Sequence, residues 1–369
     1  MTATASSARV MHFMQQWLPL SEPFVYDVVT KSRYPSLVVS SEPIENAELF
    51  PYEPLISLAR VPIPKVVRRQ AITARLMTLA WRNSVGLIHV HHGYRLHQVM
   101  GTRRRLRIPL VLSLHGHDIT GALEAHPDRY ENFLPWIDAV VVPSRFLAGI
   151  AVAGGVPEER IHVIPSGVDT ERFTPTPLPN DTKDVLFVGR FVEKKGLDVL
   201  MAAWPDVRRR VPEARLRIFG FGPLEDLARS GGDATEVVLR PNHDQVREAI
   251  RGAYAVVSPS RTAADDSVES LLIVNLEAQA SGRPVITTSH GGIPEFVRDG
   301  ETAVVVPEND PAALAEALVS VLRDRPLAER LGRAGPEWVQ QFDARRCARR
   351  LDELYGSLLA SRTRLHISR

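Results

Sequence analysis

Residues 185–200 read VLFVGRFVEKKGLDVL. An apolar run ends at Val188, a loop carries Gly189, Arg190, Lys194, Lys195 and Gly196, and an apolar helical pattern starts at Leu197. A buried strand that feeds a helix through a short loop is the repeating unit of a parallel sheet covered on both faces. The same rhythm recurs in both directions along the chain. Strand-like runs lie at 10–14, 37–39, 87–91, 110–114, 139–142 and 162–164 in the first half, and at 185–188, 216–219, 236–239, 255–258, 284–288 and 303–306 in the second. Six runs per half, alternating with helix-compatible segments, predict two comparable α/β units. A length of 369 residues agrees, since single cores seldom grow past roughly 250 to 300 residues.

Residues 170–181, TERFTPTPLPND, contain three prolines and few apolar side chains, the composition of an extended linker. The expected division is therefore a first domain at 1–169, a linker at 170–181 and a second domain at 182–342. Beyond it, Ala344, Cys347, Leu351, Leu354, Tyr355, Leu358 and Leu359 recur near the helical period, so the tail at 343–369 reads as a long amphipathic helix.

Composition narrows the function classes. The formal charge is +2, too small for a nucleic-acid binder, and no segment approaches the ~20 apolar residues of a membrane span. The first ten residues lack a basic region followed by an apolar stretch, and the single Cys347 has no internal disulfide partner, so the cytoplasm is the expected compartment. Local clusters at Arg68 and Arg69 and at Arg103, Arg104, Arg105 and Arg107 read as solvated helix faces, with weak peripheral attraction to anionic lipid as the sharper alternative. Lysine is scarce, with five among 45 basic residues, and two of the five are the neighbours Lys194 and Lys195.

Ligands of open parallel sheets bind at the carboxyl ends of the strands. Arg190 and Lys195 share one such loop, where a guanidinium and an ammonium can neutralise a diphosphate; ordinary surface solvation is the bland alternative. Gly220 and Gly222 follow another strand and are expected to let a ligand approach the turn, but Glu225 stands where a dinucleotide fingerprint needs a third glycine. In 258–297, Glu269 and Glu277 would differ on one helix by about 80° in azimuth and about 12 Å along the axis, so both can face one cleft. A helix running from Glu269 or Ser270 to Ser281 would offer its first amides to phosphate. Glu269 would then accept from sugar hydroxyls and Glu277 from a ribose diol. Exposed helix glutamates are the bland alternative, weakened by the apolar neighbours Leu271, Leu272, Ile273, Val274 and Leu276. At the end of another strand stand His115, Gly116, His117 and Asp118. His115 with His117, or His89 with His91, could instead serve as metal ligands of a hydrolase.

Taken in order, these segments resemble the retaining glycosyltransferases of family four. Glu269 and Glu277 match that family's pair of glutamates separated by seven residues, and EAQASGRPVITTSHGGIPE is similar to the segment that follows the pair. VGRFVEKKG resembles its phosphate-binding loop, IPSGVDTERFTP its segment before the linker and VPSRFL a first-domain motif. The resemblance implies two facing Rossmann-like domains with an interdomain cleft (the GT-B architecture) and a C-terminal helix returning to the first domain. It implies that Arg190 and Lys195, with the amides of Ser270, Leu271 and Leu272, bind the donor diphosphate, that His115 and Glu269 hold the donor sugar, and that Glu277 holds the ribose. Catalysis would rest on His115, Glu269, Arg190 and Lys195, with retention by front-face attack, no metal and no further cofactor. Ser270 departs from the pattern, since the family commonly has glycine there. WLPLSEPFV at 17–25 is similar to an exopolysaccharide-assembly subset and suggests loop contacts at Ser21 and Glu22, beside those at Gly220 and Gly222. The expected activity is transfer of a sugar from a nucleotide-diphosphate donor to a hydroxyl of a glycan, a lipid-linked sugar or a small natural product. A sugar phosphorylase and a non-catalytic nucleotide-sugar binding protein are the alternatives.

Overall fold

The computed structural model describes residues 8–19, 23–59, 67–116, 118–119, 130, 132–265 and 267–367. The chain divides into two compact units, residues 1–165 with 345–369, and residues 166–344.

The first unit is built on strands β1 (Arg9–Met14), β2 (Ser36–Ser40), β3 (Leu55–Ser57), β4 (Val85–His91), β5 (Leu110–Ser113), β6 (Ala139–Val142) and β7 (Ile161–Val163), all parallel, in the order β3-β2-β1-β4-β5-β6-β7. Every expected run is a strand. β3 is the addition: three half-buried residues at the sheet edge, too short for an apolar run to announce them. Helices α1 (Pro23–Lys31), α2 (Arg68–Arg82), α3 (Leu96–Leu106) and α4 (Arg145–Ala153) complete this part. Met11, Phe13, Ile88 and Val90 point to one face, against Leu76 of α2, Val99 of α3 and Leu147 of α4. Their strand neighbours Val10 and Leu87 point to the other. There they meet Leu351, Leu354, Tyr355 and Leu359 of the terminal helix, numbered α11 below (Ala344–Ile367).

The second unit contains β8 (Asp184–Arg190), β9 (Arg215–Phe221), β10 (Thr235–Leu239), β11 (Ala255–Ser258), β12 (Val285–Thr288) and β13 (Ala303–Val306), again parallel, in the order β10-β9-β8-β11-β12-β13. Its helices are α5 (Leu197–Arg210), α6 (Glu225–Arg229), α7 (His243–Gly252), α8 (Ile273–Ala280), α9 (Pro311–Arg323) and α10 (Arg325–Val339). In both sheets the strand order reverses after the first strand, between β1 and β4 and between β8 and β11. These are the points where a doubly wound sheet opens a crevice at its carboxyl edge.

The boundary falls before the expected linker. Residues 170–181 lie within the second unit. Phe173 and Leu178 are buried in its core, and Arg283 and Arg325 hold the carbonyls of Thr176, Pro177, Leu178 and Pro179. Prolines removed amide donors from this segment, and its carbonyls found partners in the second unit instead of in solvent.

Candidate functional site

The β8 loop has a fixed shape. Gly196 sits at φ +66°, and a Cβ there would lie 1.8 Å from the carbonyl oxygen of Pro259 in the loop after β11, so glycine alone fits both the backbone and the space. Arg261 ties the same two loops, its guanidinium reaching Asp198 at 2.7 Å and Glu193 at 3.1 Å while its amide donates to the Lys194 carbonyl. This closeness brings both lysines to Glu269. Lys195 Nζ lies 2.9 Å and Lys194 Nζ 3.6 Å from Glu269 Oε1, and Glu269 is 6% exposed. Burial alone would raise the Glu269 pKa, but the two ammonium groups hold it below the usual carboxylate range. Burial lowers the Lys195 pKa, and Lys194 and Arg190 push the same way against the pull of Glu269. Arg190, at the end of β8, is exposed.

The two glutamates do not share a helix. α8 begins at Ile273, so Glu269, Ser270, Leu271 and Leu272 precede it in non-helical backbone. The expected azimuth and rise between Glu269 and Glu277 therefore do not apply. Glu269 is instead clamped at both backbone atoms from the loop after β12: its N–H donates to His290 Nε2 at 3.0 Å, and its carbonyl accepts from Gly292 at 2.9 Å. Leu272 occupies the N-cap of α8, and no side chain caps the helix. The amides lacking an acceptor inside the helix are those of Ile273 and Val274, one turn later than expected. Asn275, between Ser258 Oγ at 2.5 Å and Thr287 Oγ1 at 3.3 Å, fixes α8 to β11 and β12.

Glu277 is 5% exposed, and its Oε1 meets His243 Nε2 at 3.0 Å. His243 opens α7, which a reciprocal Asn242 and Gln245 capping box starts. Neither His243 nor His290 is singled out by the sequence. Each follows a strand at the carboxyl edge, which is the one local signal they carry. Gly220 and Gly222 serve packing: a Cβ would lie 1.8 Å from the Gly189 carbonyl oxygen at the first and 2.6 Å from that of Phe191 at the second.

In the first unit, Asp118 shapes the turn that bears His115. Its Oδ1 accepts from the amides of His115 and Gly116, each at 3.0 Å, and Tyr130 Oη donates to its carbonyl at 2.6 Å. Burial works to raise the Asp118 pKa, but the His92 hydrogen bond and neighbouring groups bring it down to about 2. The His115 ring lies 5.1 Å from Phe24 and 4.5 Å from His92. His117, Ser21 and Glu22 lie outside the described residues.

His12, His89 and His91 form a buried group with ligand atoms within 4.8 Å of one another. His12 lies one strand away in register with His89, a neighbour that the spacing of His89 and His91 along the chain does not reveal. Both ring nitrogens of His89 are engaged, by Tyr355 Oη at 2.5 Å and Ser113 Oγ at 2.7 Å, and His12 Nδ1 meets His91 Nε2 at 3.0 Å. The His89 and His91 rings stack with centroids 4.3 Å apart. Burial lowers the His12 pKa to about 3 and those of His89 and His91 well below 6.5. The donor set is that of a neutral, hydrogen-bonded histidine stack.

A cation-bearing loop and an uncapped helix start flank the switch point of a doubly wound sheet, in a chain built of two Rossmann-like units. Comparisons with known proteins narrow the reading. Residues 35–172 match the model for Glycosyltransferase Family 4, and residues 168–338 that for Glycosyl transferases group 1. The GDP-mannose-dependent alpha-(1-6)-phosphatidylinositol monomannoside mannosyltransferase of Mycolicibacterium smegmatis is 34% identical over 249 residues, 62% of this chain and 65% of that protein. The putative colanic acid biosynthesis glycosyltransferase WcaL of Escherichia coli is 32% identical over 266 residues, 69% of this chain and 65% of that protein. The matched region thus spans about 65% of these relatives' own length. In fold, a glycosyltransferase from Rickettsia africae superposes with a TM-score of 0.79 at 16% identity, covering 95% of this chain and 99% of that one. Anabaena Alr3699/HepE, solved with UDP and glucose, gives 0.78 at 17% identity over 94% and 99%. The chain belongs to the family 4 glycosyltransferases.

Proposed function

We propose that this protein transfers a glycosyl group from a nucleoside-diphosphate sugar to a hydroxyl acceptor with retention and without a divalent metal. The observation that carries the reading is the Lys195–Glu269 pair, with Lys194 beside it, at the switch point of the second sheet. Lys195 and Arg190 would neutralise the diphosphate together with the amides at the start of α8. Glu269 would accept from a donor-sugar hydroxyl and Glu277 from the ribose. In the reaction the bond from the anomeric carbon to the diphosphate oxygen breaks and a bond to the acceptor oxygen forms on the same face. The acceptor proton passes to the leaving diphosphate. Cationic groups and aligned amides stabilise the charge that develops on that leaving group, which is the work a metal would otherwise do. For His115 the proposal is a role in turnover and not in nucleotide affinity.

Calorimetric titration with UDP, GDP, ADP and TDP in metal-free buffer, followed by release assays with sugars of the preferred nucleotide, tests this reading. One nucleotide should bind, and Lys195→Ala or Glu277→Ala should weaken it roughly ten- to a hundredfold, the cost of a charged hydrogen bond at about 1.5 to 3 kcal/mol. His115→Ala should bind nucleotide normally and turn over slowly. Absence of binding to all four nucleotides defeats the proposal. Turnover that requires inorganic phosphate favours a phosphorylase, and binding without turnover across acceptors favours a non-catalytic protein.

The acceptor is proposed to be a saccharide or lipid-linked saccharide reached at an anionic membrane surface. Between Glu53 and Asp118 the sequence has eleven basic residues and no acidic one. Arg68, Arg75 and Arg82 recur every seven residues on α2, drifting only about 20° per step, and all three are exposed, as are Arg104, Arg105 and Arg107. Trp81 is 80% exposed on the same helix. Among the described residues, the arginine ion pairs of this stretch are those of Arg95 with Glu42 and Arg103 with Asp138. No helix among the described residues is long and apolar enough to cross a membrane. Sedimentation with phosphatidylglycerol vesicles should show binding that salt reverses and that Glu at positions 68, 75 and 82 abolishes. Equal binding to neutral vesicles would count against it.

A further inference from the structure

Glu308 follows β13 and touches nothing assigned to a ligand, yet two of the loops around Glu269 depend on it. Its Oε2 accepts from the Thr262 amide at 2.7 Å and from Thr262 Oγ1 at 3.1 Å, which anchors the loop after β11. Its Oε1 lies 2.9 Å from His290 Nδ1, in the loop after β12. His290 is 1% exposed, and its Nε2 lies 3.0 Å from the backbone nitrogen of Glu269.

The direction of this chain follows from its ends. A backbone amide only donates, so His290 Nε2 must present a lone pair to Glu269. A neutral imidazole with a lone pair on Nε2 carries its proton on Nδ1, and that proton needs an acceptor. The Glu308 carboxylate is the acceptor in place. In the other tautomer an N–H of His290 would face the N–H of Glu269, and a buried donor would oppose a buried donor.

We propose that Glu308, by fixing the tautomer of His290, is a positioning residue for Glu269 and through it sets affinity for the sugar half of the donor. This rests on the donor-binding reading above. Nucleotide affinity is separate, because it draws on Glu277, Arg190 and Lys195. Loss of Glu308 or of the His290 acceptor therefore discriminates between two ligands that share a nucleotide, which a general loosening of the unit would not do.

The test compares binding of the nucleoside diphosphate and of its sugar conjugate by calorimetry in wild type, Glu308→Ala, His290→Phe and His290→Gln. Glutamine keeps a carbonyl oxygen near the position of Nε2 and has no tautomer to fix. Glu308→Ala and His290→Phe should weaken the sugar conjugate at least tenfold while the bare diphosphate changes less than threefold. His290→Gln should stay within about threefold of wild type for both. Long-range nitrogen-15 spectra of histidine-labelled protein, with the His290 signal assigned by its absence in His290→Gln, should show the Nδ1–H form in wild type and the Nε2–H form gaining in Glu308→Ala. Equal weakening of both ligands, no weakening of either, a His290→Gln loss as large as that of His290→Phe, or an Nε2–H tautomer in wild type would each overturn the proposal. If wild type binds neither ligand, the donor reading falls and takes this inference with it; a wild type that binds both with Glu308→Ala unaffected defeats the positioning role alone.

Discussion

Arg283 shows how much a single side chain can organise. It is 1% exposed, and it spends its charge on backbone oxygens instead of a carboxylate: Nε donates to Ile250 at 3.2 Å, Nη1 to Thr176 at 3.0 Å, and Nη2 to Pro177 at 3.1 Å and Arg251 at 2.7 Å. Burial, with Arg251 nearby, brings its pKa down to about 10, so the guanidinium stays charged at neutral pH. Its planar fork serves several carbonyls at once, which a lysine ammonium cannot match. Arg283→Met preserves bulk but orphans those carbonyls, and should cost about 3 to 5 kcal/mol, the scale for breaking a buried charged network. Denaturant unfolding checks this, and a loss under about 1 kcal/mol would mean that water replaces the guanidinium there. Arg283→Lys should recover little of the loss.

At the scale of the element, the loop between β11 and α8 matters most. Gly291, at φ +53°, has no room for a Cβ, which would sit 2.2 Å from the Glu269 carbonyl oxygen. Gly232, at φ +74°, would meet nothing within 4 Å. Gly232→Ala should therefore cost only the backbone strain, about 1 to 2 kcal/mol. Gly291→Ala adds overpacking, typically about 1 to 3 kcal/mol more, and moves Glu269. Thermal unfolding of both variants, with nucleotide-sugar titration, separates the two effects; equal stability losses and unchanged binding would show that the loop gives way freely. This loop also marks where the sequence stops being legible. The strands could be read because runs such as those of β6 and β11 are buried on both faces and need only local apolar content. The start of α8 could not, because Glu269 is held out of the helix by His290 and Gly292, more than twenty residues away. Its apolar followers suit a helix equally well. The linker failed for a similar reason: proline content at 170–181 is local, but the carbonyl acceptors' partners, Arg283 and Arg325, are over a hundred residues distant. Lys195 and Glu269 could be singled out by residue type and by their place in loops after strands, and Glu277 by its apolar helix neighbours, while His243, His290 and Glu308 needed the fold to bring them in.

At the scale of the whole molecule, the two units should answer acid differently. The first carries His12, His89 and His91 in its sheet, neutral because burial opposes their charging. Their folded pKa values lie below the unfolded value of 6.5, so the unfolded chain binds more protons as pH falls through 6.5. The stability they preserve is complete above that pH and is lost progressively below it, at about 1.4 kcal/mol per pH unit for each ring. The three rings act in the same direction, so the first unit loses stability as pH falls below 6.5. The second unit's lowered carboxylates are Glu269, Glu308 and Glu316, whose contribution is lost only as pH falls below 4.5. Hydrogen exchange measured at pH 7.5 and pH 5.0, corrected for intrinsic rates, should therefore show protection collapsing first in β1, β4 and α11 while β8, β11 and α8 keep theirs. Simultaneous loss in both units, or earlier loss in the second, would mean that the histidine stack takes up protons without unfolding, by admitting water to His12 Nε2 and His91 Nδ1, the two ring nitrogens of the stack that have no hydrogen-bond partner among the described residues.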